Sequence, residues 1–312
     1  MGKQGFKRKE AVAAGVRRLA VGHIDRLSKR LDRGVGSSDD RADAVSEAVA
    51  LGALIELVRV PLGAEVVRRE RRWLGRLERT LEPAASRPGD AADWRALAEA
   101  AGLAEAEREA VVAAGLEGSA TDGAGGDVGG AELGEARAGR PEAALLRRRA
   151  DLVEARMRAR HWHLPAGDFD LLAPGLGRSY RRARQRAEAW RKTRGTAAGR
   201  DEILDKGQAC EALADALNEW GQQLRRIERA WPEVLVPTRK GTEATAREAQ
   251  RLAAARRLRG WLAEGDADLG VDWGASIDRT DSAMAGALDR LLAESAAAMG
   301  KRLEAYWRAW RG

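Results

Sequence analysis

The chain has 312 residues, a net charge of +7 and one cysteine, which excludes an internal disulfide framework. No uncharged apolar run reaches the ~18 residues that would span a bilayer, and the basic stretch from Met1 to Glu10 lacks the apolar core of a secretory signal. A soluble, cytoplasmic protein is expected, and its mostly arginine basic excess suits phosphate-rich partners, because guanidinium groups pair bidentately with phosphate oxygens.

Nearly every segment has helical period. Residues 8–32 carry Val12, Val16, Leu19, Leu27 and Leu31 on one stripe, and His23 falls on the same stripe, as a hydrogen-bonded core histidine would. A second helix is expected over 41–59, capped by Asp39 or Asp40 and broken at Pro61–Gly63. Helical period resumes over 64–81, a loop with two prolines follows at 83–90, and short helices are expected at 91–101 and 104–115. Residues 117–141 hold few large apolar groups and read as a flexible glycine-rich linker. Their GAGGDVGG run lacks both the preceding strand and the Gly-Lys-Ser/Thr of a phosphate-cradling loop.

Beyond the linker a helix is expected at 142–160. After Pro165 another carries Leu172, Leu176, Tyr180, Ala183, Ala187 and Trp190 on one face, with Arg178, Arg181, Arg182 and Lys192 opposite. The next, over 199–230, has a stripe of Ile203, Cys210, Leu213, Leu217, Trp220, Leu224 and Ile227, so Cys210 reads as a buried thiol and not a nucleophile. Trp231-Pro232 ends that helix. Further helices are expected at 242–264 and 281–310, the last with Met284, Leu288, Leu292, Met299, Leu303 and Trp310 inward. Ten tryptophans against two phenylalanines and two tyrosines are expected to pack between helices. With no period-two alternation, the fold is all-α: a helical half over 1–116, the linker, and a second helical half over 142–312.

No metalloprotease, paired-cysteine, P-loop or serine-elbow motif is visible, and His161 and His163 have no third ligand nearby. A non-catalytic protein without metal or cofactor is expected.

One set of segments resembles a known family. Trp162, Asp168-Phe169, Ala173-Pro174-Gly175-Leu176, Arg178 to Arg184, Leu224-Arg225, Trp231 to Leu235 and Gly300 to Leu303 are similar to the CHAD family, the conserved histidine α-helical domain. Gly15 to Arg18, Val45 to Ala48 and Leu62-Gly63 resemble its opening repeat. The resemblance implies two pseudo-symmetric helical bundles with a basic groove between them that clamps inorganic polyphosphate, and some members associate with polyphosphate granules. The chain departs from the family at the clamp itself. Ser46 takes the first histidine slot and Val49-Ala50 its Arg-Lys slots; Glu211, Ala214, Asp215, Asn218 and Gln222 fill the second set. Two functions are therefore expected. One is a divergent module that binds polyphosphate or a related polyanion through Arg178, Arg181, Arg182, Arg184, Arg225, Arg226, Lys301 and Arg302, with Arg68, Arg69, Arg71 and Arg72 as a second patch. The other is a degenerate CHAD fold kept as a structural or protein-interaction scaffold. Sequence-specific nucleic-acid binding has no recognition motif behind it.

Overall fold

A computed structural model describes residues 5–32, 38–81, 91–122, 140–194, 200–262 and 273–312. Among the described residues are twelve α-helices and no strand. The first helix, α1 (Val12–Asp32), buries its whole predicted stripe, His23 included. In α2 (Ser38–Leu57) the stretch from Leu51 to Val58 is buried on every side, which places the C-terminal part of this helix in the interior. Pro61 lies in the one-turn α3 (Arg59–Leu62), ended by Gly63 at φ 86°, a left-handed conformation that a Cβ would strain. The sharply amphipathic α4 (Ala64–Leu81) turns Val67, Trp73, Leu74, Leu77 and Leu81 inward.

Two short helices, α5 (Ala91–Ala100) and α6 (Glu105–Asp122), form a hairpin. Helix α6 runs six residues past the expected start of the linker, and α7 (Arg140–Arg160) begins just before its expected end; residues 123–139 of that linker, like the loop at 83–90, lie outside the described residues. Then come α8 (Ala173–Lys192), preceded by a 3-10 turn at Phe169–Leu171, and α9 (Arg200–Ile227), whose expected stripe is buried throughout.

Helix α10 (Pro232–Leu262) starts ten residues earlier than its period suggests. Pro232 ends one helix and opens the next, since a first-turn residue needs no amide hydrogen. Pro237 cannot donate to the carbonyl of Glu233, and the helix continues through it; hydroxyls of Thr238 and Thr242 donate to the carbonyls of Val234 and Thr238 at 2.7 and 2.8 Å. The single last helix expected from sequence is instead two, α11 (Trp273–Leu291) and α12 (Ala296–Arg311). Ser295 caps the second by accepting from the amide of Ala298 at 3.1 Å, and the Tyr180 hydroxyl donates to the Glu294 carbonyl within the break at 3.0 Å.

In the first half α1 packs on α2 and α7, and α2 packs on α4; in the second α8 packs on α9 and α12, and α9 on α10. The same three pairings thus recur in the same order. Helix α2 joins the halves by packing on α8 and α9, and one apolar core continues from Phe6 and α1 through α2 to α12. The halves also exchange elements. Helix α7, expected with the second half, packs on α1 through Arg156–Asp25 and Arg149–Asp32 ion pairs. The α5–α6 hairpin of the first half packs on α10 around Trp94 and Leu258, in a second, smaller core.

Candidate functional site

The eight residues expected to bind a polyanion do not form one site. Arg178, Arg181 and Arg182 share the outer face of α8, where Arg182 pairs with Glu219 at 2.7 Å and one guanidinium nitrogen of Arg178 is buried. Arg184 and Arg302 stand near the Tyr180 hydroxyl, whose pKa is raised chiefly by burial and by Glu294, against both arginines. Arg302 also pairs with Glu294 at 2.7 Å and lies over the Tyr306 ring, while Lys301 is exposed one residue away. Arg225 pairs with Glu243 at 2.7 Å in a network that includes Arg239 and Glu228. Arg226 corrects the expectation most sharply. It is 1% exposed and donates to the Ala50 carbonyl at 3.2 Å, so it joins α9 to α2 and faces no solvent. Burial and the neighbouring Arg225 push its pKa down to about 10.

Of the positions that the sequence resemblance sets at a clamp, Val49, Asp215 and Asn218 line one cleft, and Ser46, Ala50, Glu211, Ala214 and Gln222 do not. Val45, Val49 and Gly52 of α2 face Ala212, Asp215, Asn218 and Glu219 of α9 across a cleft of about 480 Å³. Arg71 and Glu78 of α4, Arg182 and Arg186 of α8 and Gln250 of α10 complete its walls. Three arginines therefore face three carboxylates. Moreover, Glu211, Asp215 and Glu219 are spaced by four residues and so stack along one face of α9. The Asp215 carboxyl is held above its ordinary range by partial withdrawal from water and by Glu211 and Glu219, with Arg186 opposing. Glu219 is held by Arg182 and by the buried Ser179 hydroxyl at 2.7 Å, Glu211 pairs with Arg257, and Arg71 is 3.4 Å from Glu56. The sequence reading missed Arg186 and Glu219 and placed Asp215 only as a substitute in a clamp slot; the i, i+4 spacing of Glu211, Asp215 and Glu219 was the available signal.

Among the buried titratable groups away from the cleft are His23 and Cys210. His23 Nδ1 sits 2.6 Å from Glu47 Oε2, Arg26 holds the other carboxylate oxygen at 2.8 Å, and His23 Nε2 is buried without a hydrogen-bond partner. Burial pushes His23 down to about 4, against the pull of Glu47 and with help from Arg226 and Arg26. Since the unfolded histidine titrates near 6.5, the unfolded chain binds more protons between those values, and stability rises with pH there. This contribution is complete above the unfolded value and is lost as pH falls. It should amount to about 2 kcal/mol between pH 7.5 and pH 5. Urea unfolding of the native chain and of His23→Gln across that range checks it; equal slopes with pH would remove His23 as the cause.

Cys210 is fully buried, and its sulfur accepts from Arg256 Nη1 at 3.0 Å. Burial raises its pKa to about 11, with Arg256 opposing and Asp281 adding. Because the thiolate is the reactive form, a chromogenic disulfide reagent should label Cys210 slowly in the native protein and rapidly in denaturant. Rapid native labelling would contradict this burial.

Among the described residues no three His, Cys, Asp or Glu side chains converge on a metal-sized site, and no helix is long and apolar enough to cross a membrane. No family model, no curated protein and no solved structure matches the chain.

Proposed function

We propose that the chain is a non-catalytic helical scaffold of CHAD-like layout whose central cleft does not clamp polyphosphate. The recurring helix pairings of the two halves support two pseudo-symmetric bundles, as does the meeting of Val49 with Asp215 and Asn218 across the cleft. The observation that carries the loss of the clamp is that Asp215 and Glu219 of α9 stand in the cleft against its arginines. A polyphosphate chain bears about one negative charge per unit, and its binding rests on releasing counterions from unpaired cations. In this cleft Arg182 and Glu219 neutralise each other, and Arg186 stands against the Asp215 carboxyl, so the lining offers a polyanion no cluster of unopposed cations. The divergent polyphosphate-binding reading requires free cations where these pairs stand.

Calorimetric titration with long-chain polyphosphate tests the scaffold reading when run on the native chain and on Arg182→Gln/Arg186→Gln. At about 0.15 M salt, where exposed charges are screened beyond roughly 8 Å, the two should give the same titration, because any polyanion held elsewhere on the surface does not use the cleft arginines. Tight binding that the cleft substitutions abolish would restore the polyphosphate clamp.

A further inference from the structure

We propose that the outward face of α4 docks the phosphate backbone of double-stranded nucleic acid without reading its sequence. Helix α4 carries six arginines and no lysine. Two of the six are engaged: Arg69 stands 3.3 Å from the buried Glu70, and Arg71 3.4 Å from Glu56. Arg68, Arg72, Arg76 and Arg79 are all exposed, and among the described residues none of them has a carboxylate partner. At 100° per residue these four fall within about 80° of arc, opposite the buried Trp73, Leu74, Leu77 and Leu81. The carboxylates of the same helix do not cancel the strip. Glu70 is 2% exposed and pairs with Arg158 of α7, and Glu78 faces the cleft; the exposed Glu65 falls within the same arc but one turn before Arg68, so it offsets only the N-terminal end of the strip.

The strip runs about 16 Å from Arg68 to Arg79. One strand of a duplex presents about five phosphates over that length, at 3.4 Å of axis each. Gly75 lies between Arg72 and Arg79 in a shallow depression lined by arginines, and a Cβ placed there would meet only the tip of Arg79, at 3.9 Å. An anion can therefore approach the helix backbone at the centre of the strip.

The surroundings select the partner. A bilayer-docked helix inserts its apolar face, and that of α4 is packed against α2. A protein interface has an apolar centre, and the strip has no apolar side chain among its arginines. Single-stranded nucleic acid is held by aromatic stacking, and the one aromatic residue of α4, Trp73, is buried. A phosphate-dominated duplex contact needs only the arginines, which bind phosphate oxygens on any sequence, and α4 has no Asn or Gln to read adenine.

Fluorescence anisotropy with a labelled 20-base-pair DNA duplex tests this on the full chain. Binding is expected at about 0.05 M salt, with log K falling against log[salt] at a slope of about −3 to −4 for four contacts. Arg68→Gln/Arg72→Gln/Arg76→Gln/Arg79→Gln should weaken it at least about a hundredfold with an unchanged melting temperature. Gly75→Glu places a carboxylate in the strip without a clash and should weaken binding about tenfold even if the fourfold variant folds poorly. Arg182→Gln/Arg186→Gln should bind like the native chain. No native binding, or full binding by both α4 variants, overturns the proposal. So does equal affinity for poly-glutamate, which would make the strip an acidic-protein surface, or for single-stranded DNA of equal charge. Loss of binding in the cleft variant alone would overturn both this proposal and the scaffold reading; loss in the α4 variants alone leaves the scaffold reading intact.

Discussion

Asp281→Ala is expected to destabilise the protein by about 3–5 kcal/mol, the cost of breaking a buried ion pair from one side. Asp281 Oδ2 accepts from Arg256 Nη2 at 2.9 Å, and both residues are 2% exposed. Arg256 also donates to the Lys206 carbonyl at 3.3 Å and to the Cys210 sulfur at 3.0 Å, so one guanidinium ties α9, α10 and α11 together. Neither of those acceptors carries a formal charge. With the carboxylate gone, the arginine keeps its charge in a site that water does not reach, and the junction opens to hydrate it. At about 2 °C per kcal/mol for a chain of this size, the melting temperature should fall by roughly 6–10 °C. The paired replacement Arg256→Met/Asp281→Leu separates loss of the pair from loss of charge balance. It leaves no ion behind, and comparable replacements elsewhere are neutral or stabilising, so it should melt well above the single variant. If the double variant is as unstable as Asp281→Ala, the junction depends on the specific hydrogen bonds and not on compensated charge.

The elements legible in the sequence are those with one wet and one dry face. Helices α1, α4 and α8 each bury one side, and their apolar residues mark it. Helix α9 shows where that logic stops. Its stripe from Ile203 to Ile227 was visible, but α2, α8 and α10 all pack on it, and the side toward α2 is polar. There Gln223 and Arg226, both buried, donate to the Ala53 and Ala50 carbonyls. Apolar periodicity cannot register a buried face made of an amide and a guanidinium, so Arg226 read as a surface cation. The end of α11 was hidden for another reason. Leu288, Leu292, Met299 and Leu303 stay in helical phase across the break, and only the Ser295 cap betrays it. At the cleft, the spacing of arginines was legible but not their neutralisation. Arg182 and Glu219 are 37 positions apart, and only the packing of α8 on α9 makes them neighbours.

Gly175→Ala is expected to destabilise the protein by about 3 kcal/mol or more, at or beyond the top of the usual range for overpacking. A Cβ at this position would stand 1.9 Å from the carbonyl oxygen of Leu57 and 2.6 Å from its Cα. Both are backbone atoms at the end of α2, so no rotamer change relieves the contact; α8 must retreat from α2, or the turn into α3 must deform. Gly15 of α1 is a useful contrast. Its Cβ would meet the Phe6 ring at 2.6 Å, and a ring can tilt. Gly15→Ala should therefore cost less, even though the two glycines occupy similar places near the starts of their helices. The consequence of Gly175→Ala reaches beyond stability, because α2 is the helix that joins the halves and its α8 contact forms one side of the cleft. Retreat of α8 would carry Arg182 away from α2, and amide exchange should quicken along Leu51–Val58 as well as around residue 175. Denaturant unfolding measures the first effect and hydrogen exchange the second. A variant with native stability would mean that α2 and α8 do not approach this closely at Gly175.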